Sequence, residues 1–239
     1  MEVTTDSEAP PARRGEGLLL VDKPAGVTSH DMVLAARRAY NERSIGHLGT
    51  LDPFATGLLL LLLGRATRLA TFIDTEPKVY EATIRFGAET DTDDATGTVV
   101  RTAPLPDPQR VRDAIAALTG RLMQVPPAYS AKSVDGQRAY DAARRGEPIE
   151  LAPVPVTVHE WLVTEQHSDW LSATITCGGG TYIRALARDL GRATASAAHL
   201  ESLRRTRCGR FDVRDAASLE DLRNAPPALR TLLVVSSDE

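Results

Sequence analysis

The sequence predicts an α+β protein. Strand and helix patterns mix along it without the regular strand–helix alternation of a doubly wound sheet. Three observations carry that reading. Residues 79–86 alternate, with Tyr80, Ala82, Ile84 and Phe86 on one face and Glu81, Thr83 and Arg85 on the other. Residues 108–118 instead place Val111, Ile115 and Leu118 at helical spacing behind Asp107-Pro108, a helix-opening pair. Residues 58–63 are six consecutive leucines, a short element buried as a whole.

The remaining elements follow in order. Residues 17–21 form an apolar strand, and 22–29 a loop in which Thr28 or Ser29 caps a helix reaching about Tyr40. Gly120 closes the helix that Asp107 opens. Residues 124–146 are rich in turn formers and then basic, an exposed excursion ending in a helix over about 137–145. Residues 154–163 and 171–177 are two further strands, the second closed by Gly178-Gly179-Gly180. Thr181 is expected to cap a helix that turns Ile183, Leu186 and Leu190 inwards and sets Arg184, Arg188 and Arg192 at four-residue spacing on another face. There is no internal repeat.

Composition bounds the function classes. A length of 239 residues suits one domain with at most a small appendage, and 42% hydrophobic residues can fill a sizeable core. The leucine run is far short of the roughly 20 apolar residues a membrane helix needs. Residues 1–16 are polar, hold Pro10 and Pro11, lack the apolar centre of a secretory signal and read as a disordered tail. Cys177 and Cys208 stand far apart without metal-ligand spacing, as reduced thiols of a cytoplasmic protein do. The net charge of −4 hides segregation. Acids gather at Glu89, Asp91, Asp93 and Asp94, while seven arginines fall between 180 and 210 and a second basic group holds Arg121, Lys132, Arg138, Arg144 and Arg145. Such asymmetry permits a phosphate-binding face, although charge runs more often only keep a surface wet.

The most informative segment is Gly46-His47-Leu48-Gly49-Thr50-Leu51-Asp52-Pro53-Phe54-Ala55-Thr56-Gly57. Its glycines let backbone approach a ligand, and the leucines behind it anchor the turn. Taken alone, Asp52-Pro53 is an ordinary helix start and His47 an ordinary core histidine. Four other fragments change that weighting: Asp22-Lys23-Pro24 with Gly26, Thr28 and Ser29; Lys78-Val79-Tyr80; Gly180-Thr181-Tyr182-Ile183-Arg184 with Asp189-Leu190-Gly191; and His199-Leu200 with Leu203-Arg204-Arg205.

In this order and spacing the five fragments resemble the motifs of the bacterial tRNA pseudouridine synthase B family, over about residues 17–213. The resemblance implies a pseudouridine synthase fold: a central mixed, largely antiparallel sheet flanked by helices, with a thumb-like RNA-binding insertion at 124–146; the family's usual C-terminal PUA-like appendage is not expected in full, because only about 25 residues follow Arg214. It implies a catalytic domain over 17–215 and a short C-terminal remnant at 216–239. The activity implied is isomerisation of uridine 55 in the TΨC loop of tRNA to pseudouridine on a flipped-out base. The implied roles are a catalytic carboxylate for Asp52, stacking for Tyr80, a partner of the aspartate for Arg184, an apolar wall for Leu203 and support of the extruded nucleotide for His47, with Tyr182 in the same substrate-binding set. Lys23, Lys132, Arg138, Arg144, Arg188, Arg204 and Arg205 are the candidates for RNA phosphates. Attack on the base, attack on C1′ and removal of a C2′ proton all stay open for Asp52.

The chemistry is consistent with these residue types. Breaking N1–C1′ and joining C5–C1′ involves no net oxidation or hydrolysis, so no cofactor and no metal are expected, and the chain carries no dinucleotide or phosphate-loop fingerprint. The partner is the T arm of tRNA, with no membrane, no obligatory protein partner and a monomeric state expected. Two departures from the family stand out. In Tyr129-Ser130-Ala131-Lys132-Ser133 the lysine comes one position early, and Gly178-Gly179-Gly180 is richer in glycine than usual. The competing readings are a pseudouridine synthase for another RNA, including guide-RNA-dependent relatives that lean on an appended domain, and a non-catalytic tRNA-binding or folding module.

Overall fold

The computed structural model describes residues 15–130, 133–134, 137–138, 145, 149, 151–224 and 226–230. The expected α+β architecture is present as one nine-stranded sheet with helices packed on it. Its strands are β1 (Gly17–Lys23), β2 (Ile45–Leu48), β3 (Thr56–Leu63), β4 (Lys78–Phe86), β7 (Gly120–Gln124), β10 (Val154–Gln166), β11 (Trp170–Cys177), β12 (Ala198–Cys208) and β13 (Phe211–Asp212). The order across the sheet is β1-β3-β12-β4-β11-β10-β7, with β2 also on β3 and β13 on β12. Every pairing is antiparallel except β3 with β12. Two small ladders lie apart: β5 (Ala88–Thr90) with β6 (Val99–Thr102), and β8 (Ser133–Val134) with β9 (Gln137–Arg138). The helices are α1 (Ser29–Tyr40), α2 (Pro108–Ala117), α3 (Ile183–Ala193) and α4 (Leu219–Asn224), and a 3-10 segment (Gly64–Phe72) follows β3.

The leucine run owes its unbroken character to burial on both sheet faces. Leu59, Leu61 and Leu63 join the main core with Met32, Ile84 and Ile175. Leu58, Leu60 and Leu62 face a second cluster with Leu18, Cys208 and Phe211. On β4 the alternation holds, and Tyr80 points inwards. Thr28 is the N-cap of α1 and closes a capping box with Asp31. The neighbouring Ser29 hydroxyl does something else: it donates to the Leu51 carbonyl and accepts from the Leu51 amide, at 3.1 and 2.9 Å. The start of α1 is thereby tied to the residue before Asp52.

Several expectations are corrected. The cap of α3 is Tyr182, not Thr181, and its backbone is held by a side chain from β7. The helix expected over 137–145 begins as strand β9, because Gln137 and Arg138 pair with Val134 and Ser133; most of that stretch lies outside the described residues, as does the tail at 1–14. Gln124, expected to begin an exposed excursion, ends strand β7 and is 1% exposed. Residues beyond Asp215 are built into the same body: Ala217 and Arg230 bond to the outer edge of β1, and Leu222 of α4 is buried in the main core.

The parallel pairing of β3 with β12 depends on Gly57. Here φ is +104°, and a Cβ would stand 2.8 Å from the Arg205 amide nitrogen. That close approach joins the leader of β3, and so the Asp52 turn, to β12 at Arg204↔Thr56 and Arg205↔Gly57. Gly57→Ala is expected to lower unfolding stability by about 3 kcal/mol, because both the φ and the neighbouring backbone resist a side chain. Urea unfolding measures this, and a wild-type midpoint would contradict it.

Candidate active site

Asp52 sits in the turn between β2 and β3, after the left-handed Gly49 (φ +69°). No helix starts there, so Asp52 caps none, and the ordinary reading of an Asp-Pro pair does not apply. The turn is pinned from three sides. Ser29 holds Leu51, the Gly26 amide donates to the Pro53 carbonyl at 2.8 Å, and the Ala55 amide returns to the Asp52 carbonyl at 3.1 Å. Lys23 adds a fourth tie: its ammonium donates to the carbonyls of Pro24, Val27 and Pro53.

The carboxylate meets Arg184 from the first turn of α3 in a two-pronged pair. Arg184 Nε donates to Asp52 Oδ2 at 2.8 Å, and Nη2 donates to Oδ1 at 3.0 Å. Such fork-to-fork pairs fix direction as well as distance. The guanidinium is itself locked: Nη1 donates to the Thr92 carbonyl, Nη2 to the Tyr129 carbonyl, and Asp94 Oδ2 lies 3.7 Å from Nη1. The arginine side chain is 5% exposed while that of Asp52 is 35% exposed. One partner is thus a buried anchor, and the other offers a free edge to solvent.

That edge opens on a cleft of about 640 Å³ whose wall includes Asp52, His47, Tyr80, Tyr182, Arg184 and Leu203. The structure therefore brings together all six residues expected at the site. Burial pushes the Tyr80 phenol up to about 12 and also raises that of Tyr182. Burial, then the charges of Arg205 and His30, lowers the pKa of His47, whose Nδ1 is buried without a hydrogen-bond partner among the described residues. Tyr80 and Leu203 give the cleft an aromatic and an aliphatic surface beside an anion. This combination suits a flat, weakly polar ring held next to a carboxylate.

The phosphate candidates fare differently. Lys23 is 0% exposed, with its charge spent on three carbonyls and its pKa lowered to about 8 by burial, so it braces the turn and faces no ligand. Arg205 is 1% exposed and donates to the carbonyls of Leu58 and Gly49. Arg188 is buried against Asp93, Asp189 and the Val125 carbonyl. Arg204 is partly exposed but forks onto Asp22. The side chains of Lys132, Arg138 and Arg144 lie outside the described residues. On α3 the charge segregation seen along the sequence is met by acids from the segment 89–94. Arg184, Arg188 and Arg192 meet Asp94, Asp93 and Glu89 rung by rung, so the stripe on α3 is a ladder of ion pairs, buried at Arg184 and Arg188 and exposed at Arg192.

Sequence reasoning missed Gln124. Its side-chain oxygen accepts from the Tyr182 amide at 2.9 Å, and its nitrogen donates to the Tyr182 carbonyl at 3.2 Å. A buried amide clamping the residue before Arg184 leaves no periodic signal. A polar residue closing an otherwise ordinary strand was the only trace.

With this geometry in hand, the comparisons give the class. The family described as TruB family pseudouridylate synthase (N terminal domain) matches residues 37–183, and the tRNA pseudouridylate synthase B C-terminal domain matches 184–233. The chain belongs to the TruB family of pseudouridylate synthases. Two curated relatives, both named tRNA pseudouridine synthase B, are those of Aromatoleum aromaticum and Thermobifida fusca. They are 46% identical over 93% of this chain and 49% over 87%, covering 73% and 74% of their own lengths. The solved structure of a Cbf5-Nop10-Gar1 complex superposes on 93% of the chain with a TM-score of 0.68 and 26% identity, and the chain spans 60% of that protein. The two family segments meet between Ile183 and Arg184, so the Asp52–Arg184 pair joins one to the other.

Asp93 carries a testable consequence. Burial pushes its carboxyl up to about 6, with Arg188 opposing. The native state therefore holds a proton that the unfolded chain has released between about pH 4 and 6, and this group's contribution to stability is lost as pH rises through that window. Asp93→Asn is expected to remove up to roughly 3 kcal/mol of this loss, two pKa units' worth. Urea unfolding of both proteins at pH 4.5 and 7 measures the difference, and parallel pH dependences would contradict it.

Proposed function

We propose that this chain isomerises uridine 55 in the TΨC loop of tRNA to pseudouridine, with Asp52 acting on a uridine extruded from its stack. The observation that carries the reading is the carboxylate of Asp52, forked onto a buried Arg184 and open to the cleft beside Tyr80 and Leu203.

The target base leaves the loop at a cost of a few kcal/mol and enters the cleft, where Tyr80 stacks on it and Leu203 closes the apolar side. His47 and Tyr182 support the extruded nucleotide. The N1–C1′ bond breaks, the base turns, and a bond forms between C5 and C1′. The proton on C5 leaves and N1 gains one, so the product is an isomer. Arg184 holds both oxygens of Asp52 in one direction throughout, while an aromatic face and an aliphatic wall retain the detached ring without fixing its rotation. Phosphate contacts from the basic residues of 124–146, with Lys132, Arg138 and Arg144 as candidates, offset the cost of extrusion and set register.

The tRNA substrate is favoured over another RNA because the relatives named for tRNA are 46–49% identical to this chain, against 26% for the protein of the Cbf5-Nop10-Gar1 complex. A purely binding module has no need of a buried arginine that forks onto a cleft-facing acid. None of the helices among the described residues is long and apolar enough to cross a membrane. We place the enzyme in the cytoplasm as a monomer without an obligatory protein partner.

Asp52→Asn is expected to give no pseudouridine in an unmodified tRNA transcript, with tRNA affinity close to that of the wild type. Chemical mapping of position 55 reads the first and a filter-binding titration the second. Product at the wild-type rate would overturn the assignment.

A further inference from the structure

The cleft has a cation that the roles above leave unused. Three lysine or arginine side chains line it among the described residues: Lys78, Arg184 and Arg205. Arg184 is spent on Asp52 and two carbonyls, and Arg205 on the carbonyls of Leu58 and Gly49. Lys78 is half-buried, and among the described residues its ammonium has neither a hydrogen bond nor an ion pair. A charge left unpaired at a binding cleft is a charge held for a ligand, since a surface lysine gains nothing from standing in a pocket.

Its position defines the ligand. Lys78 opens β4 two residues before Tyr80, so both side chains leave the same sheet face about 7 Å apart along the strand. A nucleotide whose base lies on Tyr80 carries its phosphate one sugar away, within reach of that ammonium. The walls around Lys78 are glycine. A Cβ at Gly49 would stand 3.7 Å from Lys78 Cε, and one at Gly179 would stand 3.6 Å from Nζ. Gly178 and Gly180 line the same cleft, and nothing lies within 4 Å of a Cβ built on Gly180. At Gly180 no side chain stands where a sugar–phosphate backbone would come close, whereas the Glu76 carboxylate packs against Gly178 and Gly179. Glu76 is the acid on this wall, lying against Gly179, and it does not pair with Lys78.

We propose that Lys78 is a substrate-binding residue whose ammonium takes the RNA phosphate flanking the extruded uridine. This rests on the function proposed above, and it gives Gly180, beside α3, a role in admitting the RNA backbone.

The test is tRNA binding by the full chain over a range of salt concentrations, for the wild type, Lys78→Ala, Lys78→Met and Lys78→Arg, with product mapping alongside. Removing one phosphate contact lowers the slope of log K against log salt by about 1. The expected result is that fall for Lys78→Ala and Lys78→Met, weaker binding at low salt, and a wild-type slope for Lys78→Arg. Lys78→Met keeps the apolar stem should Lys78→Ala fail to fold. Equal slopes for all folded variants would overturn the proposal, including the case in which turnover falls, because the lysine would then act on the base or on packing. The wild-type product map judges the reaction, and the slopes judge Lys78.

Discussion

The two-pronged pair between Asp52 and Arg184 is the contact on which the rest of the molecule converges. A carboxylate at the end of a turn has no fixed direction of its own, and a guanidinium on a helix supplies one. Each partner is immobilised by its own surroundings. Ser29, Lys23 and the Gly26 amide hold the turn, and Gly57 lets it lie against β12. Gln124 holds the entry to α3, and the carbonyls of Thr92 and Tyr129 hold the guanidinium. The direction of the acid is thus set by groups on several separate segments of the chain.

The ladder below the pair extends the same logic. Arg188 on Asp93 and Arg192 on Glu89 fasten α3 to the segment that supplies Thr92 and Asp94. Buried ion pairs are weak sources of stability, since desolvation consumes most of the attraction. The raised Asp93 pKa shows that cost at one rung. The ladder's return is orientation: any tilt of α3 would break several charged contacts at once. Arg184 and Arg188 are thereby withdrawn from the surface, while Arg192 at the end of the helix stays exposed, and the unspent lysine in the cleft stands out.

Much of this was legible in the sequence where period and chemistry agreed. The alternation of β4, the leucines of β3 and the apolar stripes of α2 and α3 all became the elements they suggested. The six cleft residues were found through motif resemblance, which supplied a three-dimensional constraint that spacing alone does not contain. The central strand β12 was not legible as a strand. Register shifts after Leu200 and Arg205 break its period, and a buried arginine occupies a core position. Charge was misread for a related reason. Lys23, Arg188 and Arg205 look like surface cations in one dimension, and only the fold shows the carbonyls and carboxylates that absorb them. Gln124 and the pairing of 217 and 230 with β1 depend on contacts far apart in the chain and leave no local trace.

The direct measurement is the single-turnover rate of pseudouridine formation by Arg184→Lys on unmodified tRNA. The variant keeps the positive charge and loses the fork. If direction is what the pair provides, the rate falls by about 100-fold, the scale of a misplacement near 1 Å, while tRNA affinity stays near that of the wild type. A rate equal to the wild type would show that charge alone suffices and that the fork does not position the acid.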